Sequence, residues 1–195
     1  MNVWPEIYVL RHGQTHWNAE GRHQGQQNSD LTETGVAHAQ AQGRILRRAI
    51  ADPATHDFFS SPSGRAWQTA GHAVGAFRQP VTPDARLMEV SFGLWEGKTN
   101  AEVDAGWPGN RAVDDSFDWH FTSPGGENLA QVQARVTGFL LGLTRPSVIV
   151  THGITSRVLR GVWLGLSSAG MSDLEGGQGN VFHLKDGEMR NLSDG

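Results

Sequence analysis

Ile7-Tyr8-Val9-Leu10-Arg11-His12-Gly13 is a short apolar run that ends on two basic side chains and a glycine. Its length and its ending fit a buried strand that stops at a glycine turn. The same ending returns far along the chain, in Ser147-Val148-Ile149-Val150-Thr151-His152-Gly153. The two histidines are 152 − 12 = 140 positions apart. Binding sites of open α/β sheets lie beyond the carboxyl ends of the strands. Two such strands, parallel in one sheet, would bring both histidines to the same edge.

Outward from these strands the pattern alternates. Thr32 is placed as a helix N-cap, with Gly35 early in the segment and Ala37, Ala41, Ile45 and Leu46 on one face. Asp57 to Ser60 reads as a second strand, followed by the turn Ser61-Pro62-Ser63-Gly64. Ala66 to Phe77 is helical, with Ala66, Ala70, Ala73, Val74 and Phe77 at helical spacing. From Arg78 to Gly126 the composition changes to Pro80, Pro83, Pro108 and Pro124 with Trp95, Trp107 and Trp119. That segment is expected to hold a strand near Val81 and then a partly helical excursion beside the site. Glu127 to Leu143 is amphipathic, with Leu129, Val132, Val136, Phe139 and Leu140 inward, and Ile154 to Leu164 is a further helix. Val181 to Leu184, Asp186-Gly187 and Met189 to Leu192 make a terminal hairpin. Strands alternating with helices imply an α/β layer fold. The expectation is one domain over residues 1–195, with a lid or insertion at about 90–126.

The bulk numbers exclude several classes. There is no cysteine, so disulfides and thiolate zinc sites are excluded. A net charge of −4 gives no general affinity for nucleic acid or an anionic membrane. Any phosphate site must therefore concentrate its cations locally. Met1 to Glu6 lacks a basic start followed by an apolar run, and no stretch approaches the ~20 apolar residues of a membrane helix. A cytoplasmic location and a small phosphorylated metabolite as partner are expected, with no nucleic acid and no membrane. Nothing in the sequence sets an oligomeric state.

Phosphoryl transfer needs an in-line nucleophile, cations on the equatorial oxygens and an acid for the leaving oxygen. Arg11 beside His12, and Arg65 at the start of a helix, offer planar donor forks that match phosphate oxygens. Such cations also disfavour an imidazolium and keep His12 neutral and nucleophilic. His152 is a candidate donor to the transferring oxygens. Glu89, in Leu87-Met88-Glu89-Val90, is the candidate acid, since an arriving phosphate dianion favours its protonated form. Gly21-Arg22-His23-Gln24-Gly25 can offer backbone N–H groups to the same anion. Taken singly, each piece has a plainer reading. A strand-end histidine is more often structural, an arginine at a helix start more often solvated, and a lone glutamate more often a surface carboxylate.

Leu10-Arg11-His12-Gly13-Gln14-Thr15-His16-Trp17-Asn18 resembles the signature of the histidine phosphatase superfamily, also called phosphoglycerate mutase-like. The likeness continues through Gly21 to Gly25, Leu31 to Gly35, Ser60 to Ala70, Leu87 to Gly97, Pro124 to Asn128 and Val150 to Gly153, in the family's order. The resemblance implies a three-layer α/β/α sandwich with a mostly parallel central sheet and a small helical lid. It implies a phosphohistidine intermediate on His12, a phosphate pocket of Arg11, Arg65 and His152, and proton transfer by Glu89. It places Asn18, Gln24 and Gly25 near the phosphate, and it implies no metal and no organic cofactor. Gln14 departs from the glutamate many members carry, which would remove a negative charge from the pocket edge. Trp107, Trp119 and His120 fall in the variable lid, where the family fixes no role.

Three other readings compete with a phosphatase. Cofactor-dependent phosphoglycerate mutases in this family are longer, with a larger insertion after the acid and a Tyr-Gly and Gly-Leu-Asn-Lys pattern. Phe92-Gly93-Leu94-Trp95-Glu96-Gly97-Lys98 is similar instead to the phosphatase branch. A non-enzymatic phospho-ligand binding protein on this fold would lack the nucleophile or the acid, and both are kept. A metallohydrolase on His12 and His16 would need both on one helix, and Gly13 intervenes. His38, His56, His72 and His183 read as surface or packing residues, and Trp4, Trp67 and Trp163 as core. If Glu89 is not the acid, Glu96, Asp114 or Asp115 would be.

Overall fold

The structure is a computed structural model that describes residues 4–109 and 117–194. Six strands form one sheet: β1 (Ile7–Arg11), β2 (Asp57–Ser60), β3 (Val81–Pro83), β4 (Ser147–Thr151), β5 (Val181–Lys185) and β6 (Glu188–Leu192). Their order across the sheet is β3-β2-β4-β1-β5-β6. β3, β2, β4 and β1 pair in parallel, while β5 runs antiparallel to both of its neighbours. The sheet is mostly parallel, as expected.

Strand alternation divides the apolar residues between two faces. Ile7, Val9, Ile149 and Phe182 face one side, where they meet Val132, Val136 and Phe139 of α5 (Leu129–Leu141) and Val158, Leu159 and Trp163 of α6 (Gly153–Leu164). Tyr8, Leu10, Val148 and Val150 face the other. There they meet Ile45 and Leu46 of α2 (Glu33–Ala49), and Ala66, Ala70 and Ala73 of α3 (Gly64–Val74). The result is three layers, helices on both faces of one sheet.

Local boundaries follow from capping. Thr32 caps α2, its hydroxyl accepting the Gly35 N–H at 3.0 Å. The buried stripe of α2 runs through Ala39, Gln42, Gly43, Ile45 and Leu46, and Ala37 is exposed. Alanines at 37, 39 and 41 give no periodicity that separates the two faces, so the expected stripe was rotated. α5 begins at Leu129 rather than Glu127, because Asn128 and Gln131 form a reciprocal capping box. Glu127 instead accepts from Ser91 N–H and pairs with Arg135 at 2.8 Å. Two short helices went unread: α1 (His16–Ala19), capped by Thr15, and α7 (Ser168–Ser172), whose Met171 packs over Gly161. Neither is long enough to carry a periodic signal.

The excursion after β3 is fastened to the core. Its described part includes α4 (Asn100–Gly106) and a 3-10 turn, Phe117–Phe121. Trp95, Val103, Phe117 and Trp119 belong to the same buried cluster as α5 and α6, and the Trp95 and Trp119 rings lie 5.7 Å apart. Trp163 is buried and Trp4 packs against that cluster, but Trp67 is 45% exposed on α3, contrary to the core reading. No helix among the described residues is long and apolar enough to cross a membrane.

Candidate active site

The site lies where β1 and β4 end. Arg11 pairs with Thr151 in the last register pair, and the His12 N–H donates to the Thr151 carbonyl at 2.9 Å. The two strand-end histidines therefore meet, with ring centroids 5.1 Å apart. Gly13 is required by a close approach. A Cβ there would stand 2.1 Å from the Gly35 carbonyl oxygen at the start of α2.

His12 Nδ1 is 2.8 Å from the Gly13 carbonyl oxygen. A carbonyl can only accept, so Nδ1 carries the proton and Nε2 keeps its lone pair. Burial, then the charges of Arg11 and Arg65, hold the His12 pKa well below the usual 6.5. This neutral tautomer is the form a nucleophile needs. His152 is also held neutral, by burial first and then by Arg65. Its Nε2 is 2.8 Å from Ser61 Oγ, and its Nδ1 accepts Arg65 Nε–H at 3.2 Å.

Arg65 sits in the first turn of α3, where Asn28 Oδ1 accepts its backbone N–H at 2.9 Å. Nη1 donates to the Gln27 carbonyl at 2.5 Å and Nη2 to the Gly25 carbonyl at 2.7 Å, while Nε is shared between His12 and His152. The expected open fork is thus partly used to hold the Gln24-Gly25 loop. Desolvation lowers its pKa to about 10, which leaves it a cation near neutrality. Arg11 Nε is buried with no partner among the described residues, and its guanidinium lies over Gly153 at the start of α6.

Glu89 is buried at that same helix start. Its Oε1 accepts from the Val90 and Thr155 N–H groups at 3.1 and 3.0 Å and from Thr155 Oγ1 at 3.1 Å. Oε2 has one longer contact, the Ile154 N–H at 3.3 Å. Asn18 Oδ1 accepts from Thr15 N–H and Gln178 Nε2, which leaves its Nδ2 hydrogens for the cavity.

A cavity of about 290 Å³ joins Arg11, His12, Asn18, Gln24, Gly25, Arg65 and Glu89. Of the eight expected site residues only His152 is absent from its wall. It lies fully buried behind His12 and Arg65, where it braces Arg65 instead of facing the cavity. Glu96 is not on the wall either. Its Oε1 accepts from the Gln26 and Phe92 N–H groups beneath Gly25, whose φ of 51° and crowded Cβ position exclude a side chain. Asp114 and Asp115 lie outside the described residues. Gln14 binds Thr32 Oγ1 at 2.9 Å and does not reach the cavity, so the missing charge there does not alter the pocket edge. His16 is exposed and away from the cavity, and the described residues contain no group of three or more side chains suited to a metal.

Phe92, His120, Arg157 and Arg160 also line the cavity, and sequence reading gave them no role. Thr155, Arg157 and Arg160 sit three, five and eight residues beyond His152 on α6. A helix that starts at a strand-end site aims its first turns there, and that signal was present in the sequence.

The neutral state of two buried histidines has a measurable consequence. Both pKa values lie below the unfolded value, so as pH falls through about 6.5 the unfolded chain takes up protons first. Their contribution to stability is complete above that pH and is lost below it. Urea unfolding in phosphate-free buffer should show stability falling by about 1.4 kcal/mol per pH unit for each histidine. A His152→Asn variant should show a shallower fall. Stability that does not change between about pH 7 and about pH 5 contradicts the neutral pair.

Residues 7–191 match the family model of the histidine phosphatase superfamily, branch 1. The chain is 36% identical over 188 residues to a glucosyl-3-phosphoglycerate phosphatase of Mycolicibacterium vanbaalenii, covering 90% of this chain and 80% of that protein. It is 35% identical over 170 residues to a protein named probable phosphoglycerate mutase in Salmonella paratyphi C, covering 83% and 75%. The solved structure of a mycobacterial glucosyl-3-phosphoglycerate phosphatase with VO3 superposes with a TM-score of 0.79 at 31% identity, over 97% of this chain and 98% of that one.

Proposed function

We propose, because the chain belongs to the histidine phosphatase superfamily, that this phosphoric monoester hydrolase works through a phosphohistidine on His12, with Glu89 moving the proton. The observation that carries the reading is the fixed His12 tautomer, whose Nε2 lone pair shares one cavity with Arg11, Arg65 and Glu89. The substrate phosphoryl group lies against Arg11 and Arg65, with Asn18, Gln24 and the Gly25 loop around it. Nε2 attacks phosphorus, the N–P bond forms, and the ester P–O bond breaks. Glu89 gives its proton to the departing alkoxide. Water then attacks the phosphohistidine, Glu89 takes a proton from it, and inorganic phosphate leaves with the His12 lone pair restored. His152 holds Arg65 in register and stays neutral throughout. Residues 1–195 act as one domain, whose excursion at about 90–126 shapes the outer cavity.

Water rather than a second substrate oxygen is the acceptor in this reading. Support comes from Phe92 to Lys98, which lacks the mutase pattern, and from the phosphatase name of the relative at 36% identity. A panel of phosphate esters read out as inorganic phosphate tests it, alongside phosphoglycerate with a bisphosphoglycerate primer. Phosphate release with slow or no isomerisation is expected. Fast isomerisation with little release would make the chain a mutase.

A further inference from the structure

The outer half of the cavity holds charge that the hydrolytic steps leave unused. Besides Arg11 and Arg65 its wall carries Arg22, Arg157 and Arg160, and among the described residues its one carboxylate is Glu89. Arg22 is answered by Glu20 at 2.8 Å and Glu102 at 3.1 Å. Arg160 is buried, lies 3.7 Å over the Phe182 ring and donates to Ser156 and the Glu175 carbonyl, all neutral partners. Arg157 is half-buried and has neither a hydrogen bond nor an ion pair among the described residues.

Its position is nevertheless built. Gly153 and Arg157 are four apart on α6 and share a face, and Arg11 lies over Gly153. On its other side the guanidinium rests against Gly176, where a Cβ would stand 3.2 Å from Nη2. Arg157 is close enough to lower the pKa of Arg11, His120 and Arg160. Glu89 acts on Arg11 and Arg65, Glu96 also acts on Arg65, and Glu175 acts on Arg160, whereas Arg157 has no ion-pair partner among the described residues. Partly desolvated cations without counter-charge are unfavourable, so a ligand that brings a further negative charge is favoured.

We propose that Arg157 forms a second anion subsite, and that the chain selects phosphate esters whose alcohol portion carries its own carboxylate or second phosphate. The inference rests on the hydrolase reading above for the place of the transferred phosphate, but its test needs no turnover. Calorimetric titration would use the non-hydrolysable phosphonate analogue of 3-phosphoglycerate. A matched analogue of glycerol 3-phosphate puts a hydroxymethyl group in place of the carboxylate, and a third analogue puts a second phosphonate there. The two anionic ligands should bind roughly tenfold to a hundredfold more tightly than the neutral one, as expected for a charge-assisted contact. The order of those two distinguishes a carboxylate from a second phosphate. In Arg157→Gln the ratio should collapse toward unity, and in Arg157→Lys part of it should return. Equal affinities for all three in the wild-type chain overturn the subsite, as does an unchanged ratio in Arg157→Gln. Binding with the expected ratio but no ester hydrolysis would remove the hydrolase reading and leave the subsite standing.

Discussion

His12→Ala should lose at least about 10⁴-fold in turnover on every phosphate ester the wild-type chain accepts. It should also lose the acid-labile, base-stable phosphoprotein that a quenched reaction leaves on the wild type. The reason is geometric and electrostatic together. The Gly13 carbonyl fixes the proton on Nδ1, so the lone pair of this buried neutral, cavity-lining ring is on Nε2, where it accepts from Arg65 Nε at 3.3 Å. Burial, Arg11 and Arg65 keep that ring unprotonated well below the usual 6.5. His152 is off the cavity wall and His16 is exposed. His120 lines the cavity with its Nδ1 on the Phe117 carbonyl at 2.9 Å, but it lacks the Arg65 contact that His12 Nε2 makes at 3.3 Å. Wild-type turnover in His12→Ala, or labelled phosphate found on another residue, would sink the assignment. Circular dichroism of the variant separates a lost nucleophile from a lost fold.

The second large effect belongs to Glu89. An alkoxide is a poor leaving group and needs a proton as its bond to phosphorus breaks, whereas a nitrophenolate needs little help. General acid catalysis typically contributes about 10²–10⁴-fold. Glu89→Gln keeps the shape and can still accept from the Thr155 N–H through its amide oxygen, but it cannot donate in the same way. It should lose most of its rate on alkyl phosphates and far less on nitrophenyl phosphate. Glu89 also serves as base in the second step, so the comparison belongs in a single-turnover burst, which isolates phosphoenzyme formation. Equal losses on both leaving groups in that burst would mean that Glu89 is not the acid. Glu96 is a poor substitute, since it is tied beneath Gly25 and does not face the cavity.

Glu89 illustrates why some of the site was legible and some was not. Its position in the family-like block Leu87 to Gly97 marked it in the sequence, but its surroundings come from α6, more than sixty residues away. Thr155, which gives Glu89 both a backbone and a hydroxyl hydrogen bond, carries no motif of its own. Ser61 stood in a recognised block without a role, and only the fold sets it 2.8 Å from His152.

By itself the sequence determined the strands and an α/β layer fold, and it set His12 and His152 at matching strand ends that meet if the strands run parallel. Apolar runs ending in Arg11-His12-Gly13 and Thr151-His152-Gly153 are local patterns, and strand period and glycine turns are local physics. A parallel register then carries two local patterns to one edge. Tertiary structure alone decided that His152 lies behind Arg65 rather than on the wall, and that the Arg65 fork is half spent on loop carbonyls. It also decided that Arg157, on the cavity wall, has no ion-pair partner among the described residues. Those outcomes depend on which distant groups desolvate or neutralise one another, and pairwise electrostatics in a folded cavity has no signature in sequence spacing.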